Sequence, residues 1–237
     1  LLASLDRRLP ATSRRLEDEL AERYPEDPQP LENAAAAEVD DLEAGASAPW
    51  CERERRADCG KAALAATERL QLKVPGSCKG YALRARARLA LGATDQGLRE
   101  LAHAADSVDD RVACLKVLAQ LSRSAGDDER ETDTLDKIVH AGCAEDAECA
   151  ANLAWVAAHE EARHNRRRAL ALYERAHERM PESTELIAHV ARLAAAVGLH
   201  AQAADNYERL ARSQPENPAW PKAAAAERQA ALDVLTR

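Results

Sequence analysis

The chain has 237 residues and is 46% hydrophobic, yet only 3% aromatic and without a single phenylalanine. One large globular core would draw on more aromatic side chains; stacked helices draw on Ala and Leu, which suit the helix and allow close approach. A formal charge of −8 weighs against a general nucleic-acid binder, because phosphate neutralisation supplies most of that affinity. No stretch approaches the roughly 20 apolar residues of a membrane span.

Residues 1–48 read as an acidic helical arm, with 12 acidic against 5 basic residues, so nearly all of the net charge lies there. Leu5, Leu9, Leu16 and Leu20 mark helix, Pro10 breaks it early, and Ser13 is placed to cap its second part. Pro25, Pro28 and Pro30 make a stiff, helix-free connector before an Ala-rich acidic helix over 31–43. Pro49 and Trp50 open a degenerate hairpin over 49–77 that holds Cys51 and Cys59 and closes at Pro75.

Four hairpins are predicted over 78–217. The unit 78–111 carries Tyr81, Gly92, Leu101 and Ala104; the unit 112–145 keeps Gly126, Leu135 and Ile138. Residues 146–149 are an insertion. The units 150–183 and 184–217 repeat each other at a spacing of 34 residues, which superposes Leu153 on Ile187, Val156 on Val190, Ala157 on Ala191, Ala169 on Ala203, Tyr173 on Tyr207 and Pro181 on Pro215. A fixed period of this length is the signature of a helical-hairpin array. Gly198 falls between the two helices of its unit, where positive φ is wanted; His164 stands there in the preceding copy. Pro218, Trp220 and Pro221 stop the last unit, and a capping helix over 222–236 is expected to cover the end of the stack with Ala226, Ala230 and the apolar residues between Leu232 and Leu235.

These residues resemble the tetratricopeptide repeat, whose units have small residues where helices cross and Pro after the second helix. Ala169, Tyr173, Ala176 and Pro181 fill that pattern in one copy; Ala203, Tyr207 and Pro215 fill it in the next, with Leu210 in place of a small residue. The resemblance implies an all-α, right-handed superhelical array of antiparallel hairpins, four to five units long, with an N-terminal helical arm and a C-terminal capping helix. It also implies an inner groove built by the first helix of each unit. Carried over position by position, that groove holds Lys79, Ala82, Arg86 and Ala90, then Ala113, Lys116, Gln120 and Arg123. It continues through Ala151, Ala154, Ala158 and Ala162 to Glu185, Ala188, Arg192 and Ala195. The groove is expected to be basic in its first half and small and apolar in its second.

Lys79, Arg86, Lys116, Gln120, Arg123 and Arg192 are therefore the candidate contacts for a protein or peptide partner with acidic segments. Reversing Arg86 and Lys116 to Glu is expected to abolish capture without unfolding the chain. The acidic arm is a second candidate occupant of the basic half, against the plainer reading of two solvated helices. The family's clamp for a C-terminal carboxylate needs Asn at set groove positions, and none stands there.

The six cysteines, Cys51, Cys59, Cys78, Cys114, Cys143 and Cys149, form no Cys-x-x-Cys pair, so a zinc site finds no support. Their spacings suit disulfides. Cys51–Cys59 and Cys143–Cys149 each require a turn, because a continuous helix would hold the two residues too far apart. Cys78 and Cys114 start successive first helices; Cys149 starts another, which leaves Cys114–Cys149 as a competitor. Bridges imply an oxidising compartment, whereas six reduced thiols would imply the cytoplasm.

No catalytic residue, cofactor or metal is expected. His159 and His164 are five apart rather than four, which turns the second imidazole about 140° from the first on a helix. Glycine-rich phosphate loops and nucleophile elbows are absent. Arg84, Arg86, Arg88 and Arg166 to Arg168 form basic runs that read as solvated helical faces. The chain opens on Leu1 and its one Met is Met180, so the natural N-terminus is expected to lie upstream, with a cleaved leader or a lipid-modified anchor as one candidate for it. Together with Ala- and Arg-rich usage this points to a bacterial envelope scaffold, extracytoplasmic and non-enzymatic. The alternatives are a cytoplasmic adaptor and an accessory repeat region of a larger enzyme or sensor.

Overall fold

The structure is a computed structural model that describes residues 10–45, 51 and 55–236, of 10–15 and 18 the backbone alone. Leu5, Leu9, Pro49 and Trp50 lie outside the described residues. The chain is all-α, with twelve helices among the described residues that pack as consecutive pairs. It divides into two compact units, Leu1–Asp136 and Lys137–Arg237.

The first unit contains α1 (Pro10–Arg23), α2 (Gln29–Ala44), α3 (Arg56–Lys73), α4 (Cys78–Ala90), α5 (Thr94–Ala105), α6 (Arg111–Ser124) and most of α7 (Asp128–Val139). α1 runs from Pro10 straight through Ser13, so Ser13 is inside the helix rather than at a cap; Pro tolerates the first helical position, where its missing N–H costs nothing. Pro30 likewise lies in the first turn of α2, which shortens the helix-free connector to 24–28.

The acidic helix α2 is not a detached arm. It packs on α3 and α4 through Ala35, Val39 and Leu42, which meet Ala63, Ala66 and Leu70 of α3 and Leu83 and Ala87 of α4. Arg56 fixes the ends of this group, donating from Nη1 to the carbonyl of Leu42 (3.3 Å) and from Nη2 to that of Ala90 (2.6 Å). A guanidinium there satisfies carbonyls that a helix C-terminus leaves open.

The second unit contains α8 (Asp146–Ala162), α9 (Arg166–Arg179), α10 (Thr184–Ala196), α11 (His200–Ser213) and α12 (Ala219–Leu235). The duplicated positions explain its packing: Ala157, Ala169, Ala191 and Ala203 are fully buried at helix crossings, where any larger side chain would push the axes apart. Val156, Tyr173 and Val190 fill the space between them.

One turn geometry recurs within the hairpins. At Gly92, Gly126, His164 and Gly198 the backbone takes φ of 81°, 72°, 63° and 84°. In each case the following N–H reaches back to the same carbonyl of the last turn: Ala93 to Arg88, Asp127 to Ser122, Asn165 to Glu160 and Leu199 to Ala194. This is the Schellman closure, for which glycine carries no Cβ penalty. His164 is the one described non-glycine residue at positive φ. Proline marks the turns that lead out of α1, α3, α9 and α11: the N–H groups of Asp27, Ser77, Ser183 and Asn217 return to Tyr24, Val74, Met180 and Gln214 across Pro25, Pro75, Pro181 and Pro215.

All six cysteines are paired. Cys51–Cys59, Cys78–Cys114 and Cys143–Cys149 have Cα–Cα distances of 5.9, 5.3 and 5.5 Å. Cys114 thus takes Cys78, tying α4 to α6, and the competing Cys114–Cys149 bridge does not form. Cys143, Ala144 and Glu145 lie outside the helix and α8 begins at Asp146, so the bridge crosses the turn that enters α8.

α12 packs on α11 differently from expectation. Its buried residue is Ala224, while Ala226 faces solvent and Leu232, Val234 and Leu235 are 56%, 64% and 83% exposed. The contact is made by its first turns: Trp220 stacks on Tyr207 at 6.0 Å and donates to Gln214 Oε1 (2.8 Å), His200 meets Glu227 (2.8 Å), and Arg228 pairs with Glu208 (2.5 Å).

Candidate functional site

The predicted groove residues of the first unit lie on α4 and α6. Lys79 Nζ is 2.5 Å from Glu32 Oε2, and Arg86 is gripped by Glu43 (Nε–Oε1 2.9 Å, Nη2–Oε2 2.5 Å) and by Asp40 (Nη2–Oδ1 2.7 Å). The carboxylates of Glu43 and Asp40 hold the Arg86 guanidinium above its already high ordinary pKa. Both cations are thus spent inside the molecule, on residues of α2. Arg84 and Arg88 are engaged as well, both with Glu100 (3.4 and 2.8 Å). On α6, Gln120 and Arg123 are exposed and Lys116 is half-buried.

In the second unit Arg192 of α10 forms a two-pronged pair with Glu161 of α8 (2.5 and 2.8 Å). The guanidinium holds the Glu161 carboxyl below the ordinary range. Arg192 therefore ties two first helices together.

Between those helices is an open cleft of about 540 Å³. Its floor is Ala147, Ala150, Ala151, Ala154 and Ala158 on α8, and Leu186 and His189 of α10 form the opposite wall. Each helical turn of α8 places an alanine on the same face, because positions three and four apart share one side of a helix. Met180, 39% exposed, lies at one end beside Ser183 and Glu185. Tyr173 reaches the cleft from α9 and stacks flat on His189, with centroids 4.4 Å apart and planes 4° from parallel.

The groove positions singled out from sequence include Ala151, Ala154, Ala158 and Glu185 of this cleft but omit Tyr173, Met180 and His189. Met180 carries no periodic signal; Tyr173 reads as a buried crossing residue, which it also is, at 3% exposure.

His159 and His164 do not meet. His159 packs its ring on Trp155 (3.8 Å between centroids), whereas His164 sits exposed in the turn. Among the described residues no three His, Cys, Asp or Glu side chains converge as metal ligands would, and no helix is long and apolar enough to cross a membrane.

The fold is that of an array of helix hairpins, with an Ala-floored cleft between two first helices of the second unit. No family model matches the chain, and no curated protein matches it. It is similar in structure to MamA, with 11% identity over 77% of this chain and 96% of that one (TM-score 0.41). It is similar to TTC0263, a thermophilic TPR protein of Thermus thermophilus, with 15% identity over 91% and 88% of the two chains (TM-score 0.31). A third likeness is human IFIT1 in a dimer with m7Gppp-AAAA, at 14% identity (TM-score 0.38), where 94% of this chain spans 55% of that one.

Proposed function

We propose that the protein is a non-enzymatic scaffold that holds a partner polypeptide against its first helices, with the α8–α10 cleft as the principal seat. The observation that carries this reading is the cleft itself: an apolar floor of small residues, about 540 Å³ of space, and a few polar groups, Ser183, Glu185 and His189, across from that floor. Such a surface excludes water around an extended or helical segment while leaving its backbone to those polar groups. The basic half of the groove contributes less than its composition promises, because Lys79 and Arg86 already hold carboxylates of α2. Gln120 and Arg123 remain exposed on the first unit.

The three cysteine pairs support an oxidising compartment and hence assembly of a bacterial envelope complex, with a lipid anchor as one means of tethering. A photo-cross-linking residue placed at Ala154 or Glu185 tests the reading in cells that make the protein. A polypeptide adduct from either position is expected, and none from the exposed Asp233. Loss of the adduct when Ala158→Trp fills the cleft supports the seat; adducts from Asp233 alone would overturn it.

A further inference from the structure

The start of α9 breaks two local rules at once. Arg166, Arg167 and Arg168 crowd a helix N-terminus, where the backbone dipole already presents positive charge and cations are disfavoured. The turn that delivers them uses His164 at φ 63°, where the three matching hairpins use glycine. Departures of this kind gather where a surface has work to do.

The three arginines differ in what they do. Arg168 serves the fold: its Nε is 3.2 Å from Oε1 of the fully buried Glu160, whose other oxygen accepts from Asn165 (2.7 Å). Arg166 and Arg167 are exposed, and among the described residues neither side chain makes a hydrogen bond or ion pair; Glu161 reaches Arg166 only as a field. Two adjoining hollows, of about 700 and 280 Å³, share Arg167 and Val197. The smaller has an apolar floor of Leu170, Ala171, Val197 and Leu199, with Leu199 48% exposed; its one acid, Glu174, is bonded to Gln202.

We propose that the start of α9 and the turn between α10 and α11 form a second docking surface, which takes an acidic polypeptide segment. One aliphatic side chain of that segment seats between Leu170, Val197 and Leu199, and flanking carboxylates lie on Arg166 and Arg167. Charge complementarity selects the acid, since both cations are unspent. The apolar floor selects a side chain over a phosphate backbone, and no Phe, Tyr or Trp lines either hollow to stack a base; the one ring there is the imidazole of His164. The surface shares no lining residue with the α8–α10 cleft, so it stands independently of that reading.

The test is selection of random 12-residue peptides displayed on phage against the full chain. Winning peptides are then titrated by fluorescence anisotropy against Arg166→Glu/Arg167→Glu, Leu199→Ser and Ala154→Trp, each checked for retained helicity by circular dichroism. Expected winners carry two or more Asp or Glu around an aliphatic residue. Their affinity falls at least tenfold in the first two variants and is unchanged in the third. The proposal is overturned by selection that enriches nothing, or by peptides indifferent to the arginine reversal or lost on Ala154→Trp. Oligodeoxythymidylate binding equally tightly and equally sensitive to the reversal would overturn it in favour of nucleic acid. A dimer dispersed by that reversal would replace the outside segment with a second copy.

Discussion

Arg86 and Glu43 are 43 residues apart in the chain and face each other with two parallel hydrogen bonds, of 2.9 and 2.5 Å, linking α4 to α2. This fork-to-fork geometry is the strong form of an ion pair, and Arg86 is only 30% exposed. Arg86→Glu would set three carboxylates together and is expected to cost about 1–2 kcal/mol of stability. The urea midpoint measures it, and Glu43→Arg on the same background should recover part of the loss. A variant as stable as the parent would show that the pair contributes nothing. Reversing the charge of Arg86 therefore tests folding as well as partner capture.

His177 and Arg209 make a pH-sensitive contact. Arg209 donates to His177 Nε2 at 2.9 Å, which requires that nitrogen to be unprotonated. Burial first, then the Arg209 charge, holds the imidazole below its ordinary value of 6.5. The unfolded chain therefore binds the proton more readily. Stability should fall as pH drops below about 6.5 and level off once pH passes the lowered folded value. His177→Gln, which keeps an acceptor and loses the titration, should flatten this part of the profile. Glu161 acts in a separate window: its lowered pKa adds stability above about 4.5 that is lost only in stronger acid. Identical profiles for parent and His177→Gln between pH 5 and 7.5 would remove His177 from the account.

The bridge Cys78–Cys114 closes a loop across 36 residues. In the chain-entropy description that constrains the unfolded state by about 3–4 kcal/mol. Cys78→Ala/Cys114→Ala should lower the denaturant midpoint accordingly. Intact mass of natively produced protein should lie six hydrogens below the reduced value, with no alkylatable thiol; six alkylated cysteines would remove the argument for an oxidising compartment.

His164→Gly should raise stability by about 0.5–1 kcal/mol, since it relieves the left-handed conformation of an L-residue. Guanidinium unfolding measures the gain. A loss instead would mean that the His164 side chain contributes more than its backbone strain takes away.

The second unit was the most legible part of the sequence because its crossing residues are alanines repeated at one spacing, and burial of Ala157, Ala169, Ala191 and Ala203 is what that spacing encodes. The pairing of α2 with α3 was not legible. The connection between them, residues 45–55, interrupts the period, and the charge of α2 suggested a solvated arm while Ala35, Val39 and Leu42 on its other face formed core. The acidic arm is one candidate occupant of the basic half in the sequence, and residues of α2 do hold Lys79 and Arg86. A sequence displays cations, but the carboxylates that consume Lys79 and Arg86 come from a helix more than 40 residues away. The stack of Tyr173 on His189 joins two elements by shape alone, and no pattern announces it.

The length of α8 carries a rule about what this chain can absorb. It has 17 residues where α4 and α10 have 13, and the surplus forms its first turn, beginning at Asp146. At about 3.6 residues per turn, four added residues rotate a helix face by only some 40° from its former heading. The alanines at 150, 151, 154 and 158 thus keep facing the cleft. Two residues inserted ahead of Ala150 would swing the added segment through about 200° and break the Cys143–Cys149 closure. At this junction whole turns of helix added outside the Cys143–Cys149 closure are expected to be absorbed better than fractions of a turn.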